Sequence, residues 1–137
     1  MSEKEIKMSK YINDYGMAIT VKAKEDDFLF IDGIDRKQYI YLLSIKFSEL
    51  FSDKTRLLVA GLNSNSAVFV FDGGKEDMLR YTIRKVHISY SSYRRNRKKP
   101  VHFGPSRVET LENVVELNKK INNVRTKSDF VCTNFAD

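Results

Sequence analysis

The alternation of apolar and polar residues near the start of the chain predicts a helix followed by a strand. Residues 3–15 carry apolar side chains at the i, i+3, i+4 and i+7 positions of one helical face, starting at Met8. From Met17 the period changes to two, because apolar and polar side chains alternate as on a half-buried strand. A short apolar run at residues 28–31 completes the pattern of a β-hairpin.

A narrow apolar stripe predicts a second helix that begins near Asp35. Asp35 and Gln38 have the spacing of a capping box at its start. The stripe consists of Ile40, Leu43, Phe47, Leu50 and Phe51. Beyond it, residues 57–62 and 67–71 are apolar runs separated by the polar turn NSNS, so they predict a second hairpin.

The segment of residues 78–90 fits two different periods. Its apolar residues alternate in two phases, as in a long strand with a bulge near Arg84. Leu79, Ile83 and Val86 would also suit a short helix. β-branched and aromatic residues dominate after Thr82, and this composition favours the strand.

The C-terminal third begins with an irregular stretch and ends with a predicted helix. Pro100 and Pro105 keep residues 91–106 out of regular structure, so they are predicted to form a mobile basic loop. Ser106 and Glu109 have capping-box spacing ahead of a helical pattern. Residues 130–137 are predicted to add an edge strand or a tail.

Together these elements predict an α+β fold in the order α-β-β-α-β-β-β-α. The 137 residues suit one small domain that spans residues 1–137. We expect a largely antiparallel sheet with about three helices packed on one face.

Positive charge is concentrated in one stretch of the chain. Between Met78 and Val108 there are nine Lys or Arg residues and no Asp or Glu. The charge of this stretch alone, +9, is larger than the net charge of the whole chain, +6. A negatively charged partner should therefore meet this stretch first. The residues predicted to bind phosphates are Arg84, Lys85, Arg94, Arg95, Arg97, Lys98, Lys99 and Arg107. The residues predicted to stack on bases are Tyr90, Tyr93, His102 and Phe103.

No catalytic pattern accompanies this charge. His87-Ile88-Ser89 resembles half of the signature of two-histidine phosphoesterases, which carry H-x-[ST] twice, but the second copy is missing. Asp14, Asp35 and Lys37 loosely resemble the D...DxK arrangement of metal-dependent nucleases, although Asp35 is predicted to cap a helix. The DGGKED stretch at residues 72–77 is explained as a turn. We therefore expect no enzymatic activity, no cofactor and no metal.

Cysteine content and hydropathy bear on the compartment. Cys132 is the only cysteine, which excludes an intramolecular disulfide and suits a reducing compartment, so we expect a cytoplasmic protein. The N-terminal residues lack the apolar segment of a signal peptide, and no apolar run approaches the roughly 20 residues that span a bilayer. We expect no membrane association, and the oligomeric state stays open.

The leading functional interpretation is a non-enzymatic binding module that contacts the phosphates of nucleic acid or of a nucleotide. The basic stretch would supply the cations and the aromatic residues the stacking surface, without distinguishing RNA from DNA. One alternative is a small inhibitor or adaptor, for instance one encoded by a virus, that docks its basic arm on an acidic protein surface. Another is a protein that sequesters a nucleotide ligand.

Overall fold

The described part of the chain, residues 16–50 and 56–133 of a computed structural model, forms five strands and three helices. In chain order these are β1 (Met17–Lys22), α1 (Gly33–Leu50), β2 (Arg56–Leu62), β3 (Ser66–Asp72), α2 (Glu76–Asn96), β4 (Arg107–Thr110), α3 (Val114–Lys127) and β5 (Phe130–Cys132). The helix predicted over residues 3–15 lies outside the described residues. The predicted α+β class, with an antiparallel sheet, about three helices and roughly the expected order of elements, is confirmed.

The strands form one sheet in the order β4-β1-β3-β2-β5, and all neighbouring strands are antiparallel. β1 and β2 flank β3 and are connected through α1, whereas β3 and β4 flank β1 and are connected through α2. These two interlocked, split β-α-β units give the sheet the strand order of ferredoxin-like domains. Because this arrangement carries many unrelated functions, it positions candidate sites without assigning a function.

One face of the sheet is covered by α1 and α2. Tyr39, Leu43 and Phe47 of α1 are buried there. Phe47 packs against Phe71 of β3, with the ring centroids 5.2 Å apart. Leu43 and Phe47 belong to the predicted stripe, whereas Tyr39 was not part of it. This face holds the larger of the two apolar clusters and anchors both helices.

The opposite face is covered by α3, where Val124 packs with Val59 and Val70. Gly61 permits this close approach, because a Cβ at that position would overlap Oγ of Ser128. The expectation that the helices all pack on one face is therefore wrong. β2 and β3 are apolar at consecutive positions as well as at alternate ones, so both of their faces must be shielded from water.

One of the two predicted hairpins forms. β2 and β3 pair as expected, but residues 28–31 are not a strand. The backbone N–H groups of Leu29 and Phe30 instead donate to the carbonyl of Ser64, at 2.8 and 3.2 Å. The turn between β2 and β3 thus satisfies the amides of this buried pair, and the chain leads directly into α1.

Residues 78–90 lie within α2, so the favoured strand interpretation is wrong. The buried residues of α2 recur at intervals typical of a helix and are Leu79, Thr82, Ile83, Val86, Tyr90 and Arg94. The alternating pattern was misleading because Tyr81 and Ile88 are apolar but exposed. Packing against α1 and within the larger apolar cluster on that face of the sheet outweighed the local preference for a strand. Because α2 ends at Asn96, the loop predicted over residues 91–106 begins six residues too early.

The C-terminal helix begins later than its sequence pattern predicts. Asn113 caps α3 by accepting a hydrogen bond from the N–H of Glu116, at 2.9 Å. These two residues take the place expected of Ser106 and Glu109, whereas β4 begins directly after Ser106 and contains Glu109. Residues 130–132 form β5, an edge strand that pairs with β2.

Candidate functional site

A groove of about 620 Å³ lies between α2 and the chain segment that leads into β4. One wall is formed by α2, through side chains at helical spacing from Arg80 to Arg95. The other wall is formed by Phe103, Gly104 and Ser106. We call this the α2 groove. Because consecutive turns of one helix line it, the groove follows the helix axis.

Three arginines line the α2 groove, and its lining residues include no acidic side chain. Arg80 is held in place by Glu76, at 3.0 Å, and by Oγ of Ser106, to which it donates at 2.7 Å. Arg84 and Arg95 are exposed, and neither side chain forms a hydrogen bond or ion pair with any residue in the described ranges. The two guanidinium groups are thus available to an anion that enters the groove.

A stacked pair of rings belongs to the same groove. The rings of Phe103 and His87 lie parallel, with centroids 3.9 Å apart and an interplanar angle of 5°. Nε2 of His87 shares a hydrogen bond of 2.7 Å with the hydroxyl of Tyr39, which is fully buried. Burial lowers the pKa of His87 to about 4, so its ring is neutral at neutral pH. His87 therefore fixes the orientation of Phe103 and adds no charge.

Arg94 faces the protein interior, although it was predicted to bind phosphate. Its side chain is only 2% exposed. The guanidinium donates to the carbonyls of Phe28 and Leu29, at 3.0 and 2.8 Å, and to the carbonyl of Lys99, at 2.8 Å. These carbonyls lie in irregular segments and, within the described part of the chain, have no partner from a helix or strand ladder. Arg94 supplies their hydrogen-bond donor and thereby stabilises the fold.

A second set of interactions occupies Arg97. Its guanidinium pairs with Asp32, at 3.0 Å, and with the buried carboxylate of Asp35. The hydroxyl of Tyr93 also donates to Asp35, at 2.7 Å. The hydrogen bond from Arg97 lowers the pKa of Asp32 to about 2. We call Asp32, Asp35, Tyr93, Arg94 and Arg97 the Asp35 network; it joins the start of α1 to the end of α2.

The remaining predicted cations lie outside the groove. Nζ of Lys85 lies 4.8 Å from the ring centroid of Tyr81. Lys98 and Lys99 are exposed just after α2. Arg107 is exposed on β4 opposite Thr20 and faces away from α2, because its neighbour Val108 packs on the α1–α2 side of the sheet.

The aromatic residues predicted to stack on bases are also separated. Tyr90 is buried, and its hydroxyl donates to the carbonyl of Leu29. His102 is exposed, and its Nδ1 lies 3.0 Å from Oδ2 of Asp27. Only Phe103 lies in the α2 groove. From the predicted set the groove therefore collects Arg84, Arg95 and Phe103.

Arg80, His87 and Ser106 line the groove but were not among the predicted site residues. A signal for the α2 wall was present in the sequence. Positions 80, 84, 87, 91 and 95 share one face when residues 78–90 are interpreted as a helix. The strand interpretation concealed this face.

Two of the three enzyme-like patterns have structural explanations. Asp35 lies in the first turn of α1 and is engaged by Arg97, whereas Asp14 is outside the described residues. Residues 72–77 include a turn in which Gly73 and Gly74 have φ values of +76° and +96°, which favour glycine. Within residues 16–50 and 56–133, no three His, Cys, Asp or Glu side chains are grouped as metal ligands.

A helix that crosses a bilayer needs roughly 20 predominantly apolar residues. None of the helices in the described ranges combines the length and apolar character needed to cross a membrane.

Comparison of the chain with protein-family models, with curated proteins and with solved structures found no match.

Proposed function

We propose that this protein is a non-enzymatic binding module that contacts the phosphates of nucleic acid or of a nucleotide through the α2 groove. One observation carries the proposal: Arg84 and Arg95 are exposed along a groove without acidic lining residues, and neither has a partner among the described residues. Arginine offers planar, bidentate hydrogen bonding that matches phosphate oxygens. Binding would release counterions and would weaken as the salt concentration rises.

The proposal places phosphate contact on the side of α2 and not in a basic loop. Arg94 and Arg97 are already engaged within the Asp35 network, so recruiting them would leave buried carbonyl and carboxylate oxygens without partners. Lys98 and Lys99 remain exposed near the Arg95 end of α2. They can add charge to the end of the groove.

The sheet itself offers little for nucleic acid. RNA-recognition motifs stack bases on aromatic side chains of an open sheet face. Here the face away from α1 and α2 is covered by α3 and presents residues such as Ala18, Val59 and Val70. The aromatic residues of β3, Phe69 and Phe71, face the α1–α2 side. This favours the α2 groove as the binding surface.

We also propose a cytoplasmic setting. Cys132 is a half-buried free thiol, which is ordinary in a reducing compartment.

The test compares two double variants of equal charge. Arg84→Ala with Arg95→Ala removes the two available guanidinium groups of the groove. Lys119→Ala with Arg125→Ala removes two exposed cations from α3, on the other side of the sheet. Fluorescence polarisation with labelled single-stranded and duplex oligonucleotides, over a range of salt concentrations, measures affinity and its salt dependence.

We expect the groove variant to lose affinity and the α3 variant to retain it. Losing two phosphate contacts should flatten the slope of log affinity against log salt by about 1.4 on single strands and about 1.8 on duplex DNA. Equal behaviour of the two variants would contradict the assignment of the groove. If the wild type binds neither an oligonucleotide nor inorganic polyphosphate at low salt, the proposal fails, and docking of the same cations on an acidic protein surface becomes the better hypothesis.

A further inference from the structure

The shape of the α2 groove bears on the class of ligand. Arg80 and Arg95 are fifteen residues apart on one helix, which corresponds to about 22 Å along its axis. The corresponding distance from Arg84 to Arg95 is about 16 Å. Arg84 and Arg95, the two groove cations without partners in the described part of the chain, are therefore too far apart along the axis to share one phosphate group. They suit a ligand whose negative charges are also spread along a line.

We propose that the ligand is single-stranded nucleic acid that lies along α2, with one unpaired base against the ring of Phe103. This inference rests on the proposed function and narrows it. Charges along one strand of a duplex recur every 3.4 Å and are further apart in a stretched strand, so the groove would hold roughly four to six nucleotides. Proteins that bind single strands combine such a cationic groove with aromatic stacking surfaces.

The Phe103–His87 stack is the reason for preferring a single strand over a duplex. Phe103 forms part of the groove wall, so a base that enters the groove can contact its ring. The bases of a duplex are stacked on each other inside the helix, whereas an unpaired base is free to turn toward the protein. The ring of Phe103 is already oriented by His87, which is itself bonded to Tyr39. Little entropy would then be lost when a base binds.

The charge distribution along α2 gives the site two unequal ends. At the Arg80 end, Glu76 and Asp77 occupy the first turn of the helix. At the Arg95 end, the exposed Lys98 and Lys99 follow the helix. A strand longer than the groove should therefore extend beyond Arg95 and avoid the acidic first turn.

The test uses the full chain and three probes. The probes are single-stranded oligonucleotides of two to twelve nucleotides, a duplex of the same sequence, and inorganic polyphosphate. The variant is Phe103→Leu, which keeps an apolar side chain but removes the aromatic ring. The control is Tyr81→Leu, which removes an aromatic ring from the exposed surface of α2 outside the groove.

We expect affinity for single strands to rise steeply up to roughly four to six nucleotides and to exceed affinity for the duplex. Phe103→Leu should weaken binding of single strands roughly five- to a hundred-fold without changing the binding of polyphosphate. Tyr81→Leu should change neither. Cross-linking of a 5-iodouracil strand to the wild-type protein provides a measurement that does not depend on folding of the variant, and it should mark the peptide that contains Phe103.

Two outcomes would overturn the inference but leave the proposed function intact. One is equal or tighter binding of the duplex, and the other is unchanged single-strand affinity in Phe103→Leu together with cross-links away from Phe103. In both cases, loss of polyphosphate binding in the Arg84→Ala, Arg95→Ala variant would still support phosphate contact in the groove. If the wild type binds none of the three probes, the proposed function and this inference fail together.

Discussion

Arg94 and Arg95 are adjacent in the sequence and carry the same charge, but they lie in opposite environments. Arg94 is buried and donates to three backbone carbonyls, whereas Arg95 is exposed on the wall of the α2 groove. Successive residues of an α-helix point about 100° apart, so one helix can direct two neighbours to the interior and to solvent. A run of basic residues is therefore not a single functional unit.

The same division runs through the whole basic stretch, in which residues of the two groups alternate. The Asp35 network uses Arg94 and Arg97 to hold irregular segments against α1 and α2. The α2 groove presents Arg84 and Arg95 without described partners. We expect substitutions in the first region to change stability and substitutions in the second to change binding.

The largest effect is a difference in stability between substitutions of the adjacent residues Arg94 and Arg95. Arg94→Ala leaves carbonyls of Phe28, Leu29 and Lys99 without this donor and removes a cation close to the buried Asp35, so it should destabilise the fold by about 3–5 kcal/mol. Arg95→Ala should change stability by no more than about 0.5 kcal/mol. Urea denaturation measures both free energies of unfolding. Similar values for the two variants would mean that the interior role of Arg94 is wrong.

The second prediction concerns acid stability of the Asp35 network. Arg97 lowers the pKa of Asp32 from 3.8 to about 2, so the unfolded state binds a proton more readily than the folded state does. The stabilisation is complete above about pH 4 and is lost as the pH falls through about 2. In Asp32→Asn the free energy of unfolding should therefore fall less steeply over this interval, as measured by denaturation at successive pH values.

Arg97→Ala provides the matched comparison for that experiment. It removes the cation that lowers the pKa of Asp32, so it should flatten the same part of the pH profile. A wild-type steepness in either variant would show that this ion pair does not contribute to acid stability.

The third prediction applies to the groove. Arg95→Ala should flatten the salt dependence of single-strand binding by about 0.7, the contribution of one phosphate contact, with little change in melting temperature. Lys119→Ala on α3 is the control for loss of one charge. If both variants lower affinity to the same extent, net charge and not the groove governs binding.

The smallest effect is expected at the Arg95 end of the groove. Lys98→Ala with Lys99→Ala should weaken the binding of twelve-nucleotide strands a few-fold and leave four-nucleotide strands nearly unaffected, because the shorter strands fit within the groove. Fluorescence polarisation with both lengths checks this difference. Equally weakened binding of both strand lengths would mean that these lysines contact the part of the strand that lies in the α2 groove.

Local patterns identified several elements because periodicity reports which side of an element is apolar. The stripe that includes Leu43 and Phe47 predicts α1, and the consecutive apolar runs around NSNS predict the β2–β3 hairpin. The same kind of pattern failed over residues 78–90, where exposed Tyr81 and Ile88 imitate a strand. That error also hid the groove face of α2, because Arg80, Arg84 and Arg95 share one face only when the segment is a helix.

The sequence alone determined the α+β class and the concentration of positive charge between Met78 and Val108. Only the tertiary structure decided which cations remain available for a ligand. Arg97 pairs with Asp32 and Asp35, which are more than sixty residues away in the sequence. Arg94 donates to the carbonyls of Phe28 and Leu29 across a similar sequence separation. Charge is a property of each residue, but its neutralisation depends on groups that folding brings close, and local periodicity carries no information about those distant partners.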